Sequence, residues 1–298
     1  MICAFNASSH SGLERLVLAH FPRLKPGANC RCPFGTFFCI VPFDQGCPMS
    51  TRSIRVFDTP DQLYAAAAEM FVGAAQRAIA DRQRFAVALA GGNTPRGLYQ
   101  RLTRSPYRDR IDWGRLDVFW GDERAVPPDD VASNYGMVRE SLLDRVAIDT
   151  SQVHRMRGEA NDLDRAATAY QAEMATAWNV ASQGAPPAFD LILLGMGDDG
   201  HTASLFPQTA ALSETSRWVV VNRVPRLGTS RLTLTLPVIN HARAVMFLVT
   251  GSSKAAVLAE VLWGAKDLQR LPAQAVAPDD GELWWLLDKA AAAGQRVR

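Results

Sequence analysis

A chain of 298 residues, 48% of them hydrophobic, can bury a substantial core without disulfides or metal. Its 32 basic and 30 acidic residues leave a formal charge of only +2, which argues against the basic stripe that nucleic acid or an anionic membrane demands. No apolar run reaches the ~18 residues of a membrane helix, and the expected partner is a small molecule. The protein is expected in the cytoplasm as a monomer or small homo-oligomer.

Residues 1–48 hold all five cysteines, Cys3, Cys30, Cys32, Cys39 and Cys47, and show no sustained helical or strand period. The C-x-C start at Cys30 does not give the C-x2-C spacing of a zinc knuckle. A basic region followed by an apolar stretch, as in a secretory leader, is also missing. This stretch is expected to be an irregular extension, disordered or the product of an upstream start codon, ahead of a single domain over 49–298.

From Met49 the pattern becomes regular. Residues 54–57 predict a short strand, and Thr59 with Gln62 forms a capping box that opens a helix at Pro60, running to about 82. A buried strand over 85–90 ends in Gly91 and Gly92, and Thr94 caps a helix over 95–102. A strand over 116–120 follows; Ser133 caps a helix to about 145, and a long helix covers 163–179. Residues 189–194 and 244–249 predict buried strands, while 217–222 and 231–235 alternate as half-buried ones. A helix over 252–262, a strand over 283–287 and a terminal helix complete the chain. Strands alternating with helices imply a three-layer α/β domain, a mostly parallel sheet covered by helices on both faces.

Ligands of such sheets bind beyond the carboxyl ends of the strands, which directs attention to four turns. Gly91-Gly92-Asn93-Thr94 puts glycines and free amides at a helix start, either an anion site or an ordinary tight turn. Gly251-Ser252-Ser253-Lys254 repeats the arrangement, and Lys254 is one of only four lysines against 28 arginines; it is a phosphate contact or a solvated cation. Asp122-Glu123-Arg124 offers Arg124 to a substrate oxygen or oxyanion with two carboxylates as buttresses, unless it is a surface ion-pair cluster.

The turn Gly195-Met196-Gly197-Asp198-Asp199-Gly200-His201 fits G-x-G-x-x-G, but Asp198 and Asp199 would repel a pyrophosphate and Pro207 leaves little room for the long helix of a dinucleotide fold. Two carboxylates beside a histidine suit water activation instead, with Asp199 and His201 the natural base pair. No metal is expected, because no further ligand at metal spacing accompanies His201.

Taken together, these turns resemble the glucosamine-6-phosphate isomerase/6-phosphogluconolactonase family. The matching runs are Ala90-Gly91-Gly92-Asn93-Thr94-Pro95, Trp120-Gly121-Asp122-Glu123-Arg124 with Ser133-Asn134-Tyr135, Gly195 through Pro207, Arg231-Leu232-Thr233-Leu234-Thr235, Gly251-Ser252-Ser253-Lys254 and Trp285-Leu286-Leu287-Asp288. They occur in family order between about 52 and 290. The resemblance implies a sugar-phosphate isomerase/deaminase-like fold and cofactor-free hydrolysis of 6-phospho-D-glucono-1,5-lactone in the oxidative pentose phosphate pathway. It also implies His201 as base, Asp199 as its partner and Arg124 as substrate or oxyanion contact. Gly91, Gly92, Asn93 and Thr94 with Lys254 would hold phosphate, and Arg231 would add a second charge. The alternative is a glucosamine-6-phosphate deaminase-like enzyme, whose turn continues toward Asn-Glu-Pro where this chain has Ser204-Leu205-Phe206-Pro207; another is a non-catalytic sugar-phosphate sensor.

Overall fold

The computed structural model describes residues 39–40 and 51–293; expectations for the rest of the first fifty residues and for the end of the terminal helix lie outside the described residues. The elements in chain order are β1 (Cys39–Ile40), β2 (Thr51–Phe57), α1 (Pro60–Arg82), β3 (Phe85–Leu89), α2 (Asn93–Leu102), β4 (Leu116–Trp120), β5 (Asp122–Arg124), α3 (Asn134–Ser141), α4 (Leu163–Trp178), β6 (Leu191–Leu194), β7 (Val219–Val224), β8 (Thr229–Leu234), α5 (Leu236–Asn240), β9 (Ala244–Val249), α6 (Ala255–Trp263) and β10 (Glu282–Asp288). Residues 289–293, where the terminal helix should begin, form turns.

The main sheet has the order β1-β2-β10-β9-β6-β3-β4, parallel throughout except for β1. Its inner strands are apolar on both faces, as helices on either side require: every residue of Phe85–Leu89, Leu191–Leu194 and Ala244–Val249 is buried. Phe247 and Trp285, paired across β9 and β10, stack with centroids 3.8 Å apart. From β3 the chain moves outward to β4, whereas from β6 it moves the other way to β9 and β10. The strand order therefore reverses between β3 and β6, and a crevice opens beyond their carboxyl ends. Among the described residues no helix is long and apolar enough to cross a membrane.

Two expectations need correction. The strands predicted over 217–222 and 231–235 are present as β7 and β8, but they form a separate antiparallel sheet with β5, whose residues read as a loop. Three polar residues in a row carry no strand period, and β5 is a strand because β8 supplies its backbone partners, with Asp122 opposite Thr233 and Arg124 opposite Arg231. The helix over 95–102 starts earlier, with Gly92 rather than Thr94 at its cap and Asn93 as its first residue. Other caps hold: Thr59 accepts from the Gln62 amide and Ser133 from that of Gly136.

His154 lies at the edge of the sheet, stacked on Phe119 with its Nδ1 2.8 Å from Glu173 and its Nε2 3.6 Å from Asp117. Burial pulls its imidazole down, but the two carboxylates outweigh that and raise it from 6.5 to about 9. A histidine raised in the folded state stabilises fully below its unfolded value and loses that contribution as pH climbs through its folded value. The melting temperature is therefore expected to fall between pH 6.5 and about 9, a fall that thermal melts of a His154→Gln variant should not show.

Candidate active site

The strand-end turns meet at the crevice. Two adjoining cavities of about 540 and 440 Å³ share Asp122, Arg124, His201 and Ala203 as a common wall. One lobe is rich in arginine, with Arg226 and Arg231 beside Asp199 and Phe206. The other is lined by Gly91, Gly92, Asn93, Thr94, Gly195, Gly197 and Lys254. His201 stands where they join, its side chain 28% exposed.

The turn after β6 folds tightly around this histidine. Gly197 donates its amide to the His201 carbonyl at 2.8 Å, and Gly200 donates to that of Gly197 at 3.1 Å. His201 Nδ1 lies 2.5 Å from Asp199 Oδ1, and the same oxygen accepts from the His201 amide at 3.1 Å. An ionised carboxylate only accepts, so the shared proton sits on Nδ1 and the lone pair is left on Nε2. Phe206 stacks on the ring at 4.1 Å. Burial, opposed by the Asp122 charge and reinforced by those of Lys254 and Arg124, lowers this imidazole to about 4. At neutral pH it is an uncharged base.

Close packing leaves no room for a side chain at position 197. A Cβ there would fall 2.0 Å from His201 Nδ1 and 2.6 Å from Asp199 Oδ1. Glycine at this position is what lets the carboxylate–imidazole pair lie flat on its own turn.

The wall between the lobes is built from β5. Glu123 is buried and accepts the amides of Arg124, Asn134 and Tyr135 at 2.8, 2.7 and 2.8 Å, so it caps α3 rather than facing a ligand. Burial pushes its carboxyl up even against those amides. Asp122 accepts from Ser204 Oγ at 2.6 Å, and Asn222 donates to the Ser204 carbonyl at 2.8 Å, which pins the small sheet to the histidine turn. Opposite each other on β5 and β8, Arg124 and Arg231 make no carboxylate ion pair among the described residues. Burial, and after it the Arg124 charge, pulls the Arg231 guanidinium down against the opposing charges of Asp122 and Glu123.

In the glycine-rich lobe Asn134 is buried, its Nδ2 donating to the Asp122 carbonyl at 2.8 Å. Its carboxamide occupies the space a Cβ on Gly91 would need, with Oδ1 only 1.7 Å from that position. Thr94 Oγ1 meets Thr250 Oγ1 at 2.7 Å and ties the first turn of α2 to the end of β9. Asp288 accepts the Gly251 amide at 3.1 Å. Lys254 pairs with Asp198, and that pairing holds the Asp198 carboxyl below its ordinary value.

Thus His201, Asp199, Arg124, Gly91, Gly92, Asn93, Thr94 and Lys254, singled out in sequence, meet around one crevice, while Arg231 falls in the lobe away from Lys254. Sequence reasoning missed Arg226, which contacts Asp199 from a hairpin turn without any chemical signature. It also missed the fastening roles of Ser204 and Asn134, although both lie inside motifs it quoted.

Comparison with known proteins follows the same line. Residues 58–285 match the family described as glucosamine-6-phosphate isomerases/6-phosphogluconolactonase. A 6-phosphogluconolactonase of Synechocystis sp. is 46% identical over 222 residues, covering 74% of this chain and 88% of the relative. One of Nostoc sp. is 41% identical over 242 residues, 81% of this chain and 98% of the relative. The solved structure of 6-phosphogluconolactonase from Trypanosoma cruzi superposes with a TM-score of 0.72 at 31% identity, covering 84% of this chain and 99% of that one.

Proposed function

The chain belongs to the glucosamine-6-phosphate isomerase/6-phosphogluconolactonase family, and on that premise we propose that it hydrolyses 6-phospho-D-glucono-1,5-lactone to 6-phospho-D-gluconate with His201 as the base that activates water. This is the ester-hydrolysing step of the oxidative pentose phosphate pathway, carried out in the cytoplasm on a small-molecule partner and with protein groups alone. The observation that carries the reading is the hydrogen-bonded His201–Asp199 pair at the junction of two lobes that each present cations.

The phosphate end of the lactone is held at the start of α2, where the Asn93 and Thr94 amides and the helix dipole favour an anion and Lys254 adds a point charge. Anchoring there brings C1 to His201. Nε2 takes a proton from water as its oxygen bonds to C1, and Asp199 stabilises the imidazolium that forms. Arg124 meets the oxyanion, with Arg231 as a second charge behind it. When the bond from C1 to the ring oxygen breaks, Nε2–H returns the proton to that oxygen, and the carboxylic acid formed loses its own proton to solvent.

The test is consumption of freshly generated lactone, followed by acid release, against release of ammonia from glucosamine 6-phosphate. Lactone loss beyond the spontaneous rate, with no ammonia, supports the reading; the reverse result overturns it. Lys254→Gln is expected to raise KM about tenfold with a smaller effect on kcat, because a contact to the non-reacting phosphate acts in ground and transition states alike. Steady-state kinetics of the variant checks this.

A further inference from the structure

Arg226 occupies the turn between β7 and β8, in the 3-10 segment Pro225–Leu227 that ends at Gly228. Its guanidinium contacts both groups that flank the imidazole. It pairs with Oδ2 of Asp199, the oxygen His201 does not use, and it lies 5.2 Å from the Phe206 ring centroid, on whose ring His201 stacks. Half of its side chain is exposed, so solvent and a ligand in the arginine lobe can reach the guanidinium. The charged groups facing His201 are Asp198 and Asp199 on its own turn, Asp122 and Arg124 on β5, Arg231 on β8, Lys254 before α6, and Arg226 itself.

The chemistry of the two lobes gives this contact a purpose. The lactone carries one anionic end, its phosphate, whereas the product carries two, because ring opening creates a carboxylate at C1. If the phosphate lies against Gly91–Thr94 and Lys254, C1 and its new charge face the arginine lobe. Resting on the hydrolase reading above, we propose that Arg226 is a further catalytic contact that neutralises Asp199 in the free enzyme and passes to the oxyanion, and then the carboxylate, developing at C1. The exchange matches charge to need: Asp199 is released when the imidazole becomes cationic, and the guanidinium arrives where negative charge forms. Bonds and protons balance as in the hydrolysis itself, since Arg226 moves no proton.

The experiment compares competitive inhibition by 6-phosphogluconate with that by glucitol 6-phosphate, which differs by having a hydroxymethyl in place of the C1 carboxylate. Arg226→Gln is expected to weaken 6-phosphogluconate about tenfold, the worth of one charge-assisted hydrogen bond, and to leave glucitol 6-phosphate within about twofold. Arg226→Lys, which keeps a charge without the planar fork, should restore part of the difference. In Arg226→Gln the His201 imidazole, followed by NMR, should titrate at higher pH than in the wild type, because a nearby cation is gone. Equal loss for both inhibitors, or no loss for either, overturns the proposal. Wild-type lactone turnover is scored separately, so failure of the hydrolase reading is distinguishable from failure of the Arg226 assignment.

Discussion

Replacing His201 with glutamine is expected to lower kcat for lactone hydrolysis about a thousandfold while the protein folds and still binds 6-phosphogluconate. Glutamine can keep a hydrogen bond to Asp199, whose Oδ1 now lies 2.5 Å from Nδ1, but it has no basic lone pair to replace Nε2. General base catalysis contributes about a hundredfold to ten-thousandfold, and the residual rate would come from phosphate anchoring and the Arg124 charge. Binding should survive if the phosphate is held as proposed by Gly91–Thr94 and Lys254, which line the glycine-rich lobe. Stopped assays of kcat alongside calorimetric binding of 6-phosphogluconate separate the two effects. A variant that folds and retains wild-type kcat would remove His201 from the chemistry.

Substituting alanine for Gly197 is expected to cost about a hundredfold in kcat through one added methyl group. The new Cβ would fall 2.0 Å from His201 Nδ1 and 2.1 Å from Cε1, far inside contact distance. Either the imidazole leaves its carboxylate or the turn opens, and a displacement of about 1 Å at a reacting group suffices for a loss of this size. The residue lies in a turn at the rim of the crevice, away from the apolar core of β3, β6 and β9, so the melting temperature should change far less than the turnover. Near-normal kcat in Gly197→Ala would show that the close packing of the pair is immaterial.

Much of this site was legible in sequence because it is built from short, contiguous turns that follow apolar strands. The buried run 244–249 coincides with β9, and the glycines, acids and histidine between 195 and 201 announce a turn with chemistry in it. What sequence could not supply were relations between segments distant in the chain. The strand character of Asp122–Arg124 exists only because β8 lies beside it, more than a hundred residues later. Glu123 reads as a buttress beside Arg124, and only the fold shows that what it braces is the start of α3, through the amides of Asn134 and Tyr135. Arg226 sits in an unremarkable surface turn, and only the return of the hairpin to Asp199 gives it meaning. The expected start of α2 at Pro95 rested on a local preference for threonine caps, which the turn at Gly92 and the Thr94–Thr250 contact override.

The central claim is that an uncharged imidazole, held low by its surroundings, takes the proton from water. Its most direct test is acid release from saturating, freshly generated lactone at about pH 5.5 and at neutral pH, where an ordinary histidine would pass from mostly protonated to mostly neutral. With His201 lowered to about 4, turnover above the spontaneous rate should be nearly the same at both. A drop of about tenfold at the lower pH, tracking an ordinary imidazole, or no acceleration over buffer at either, would contradict it.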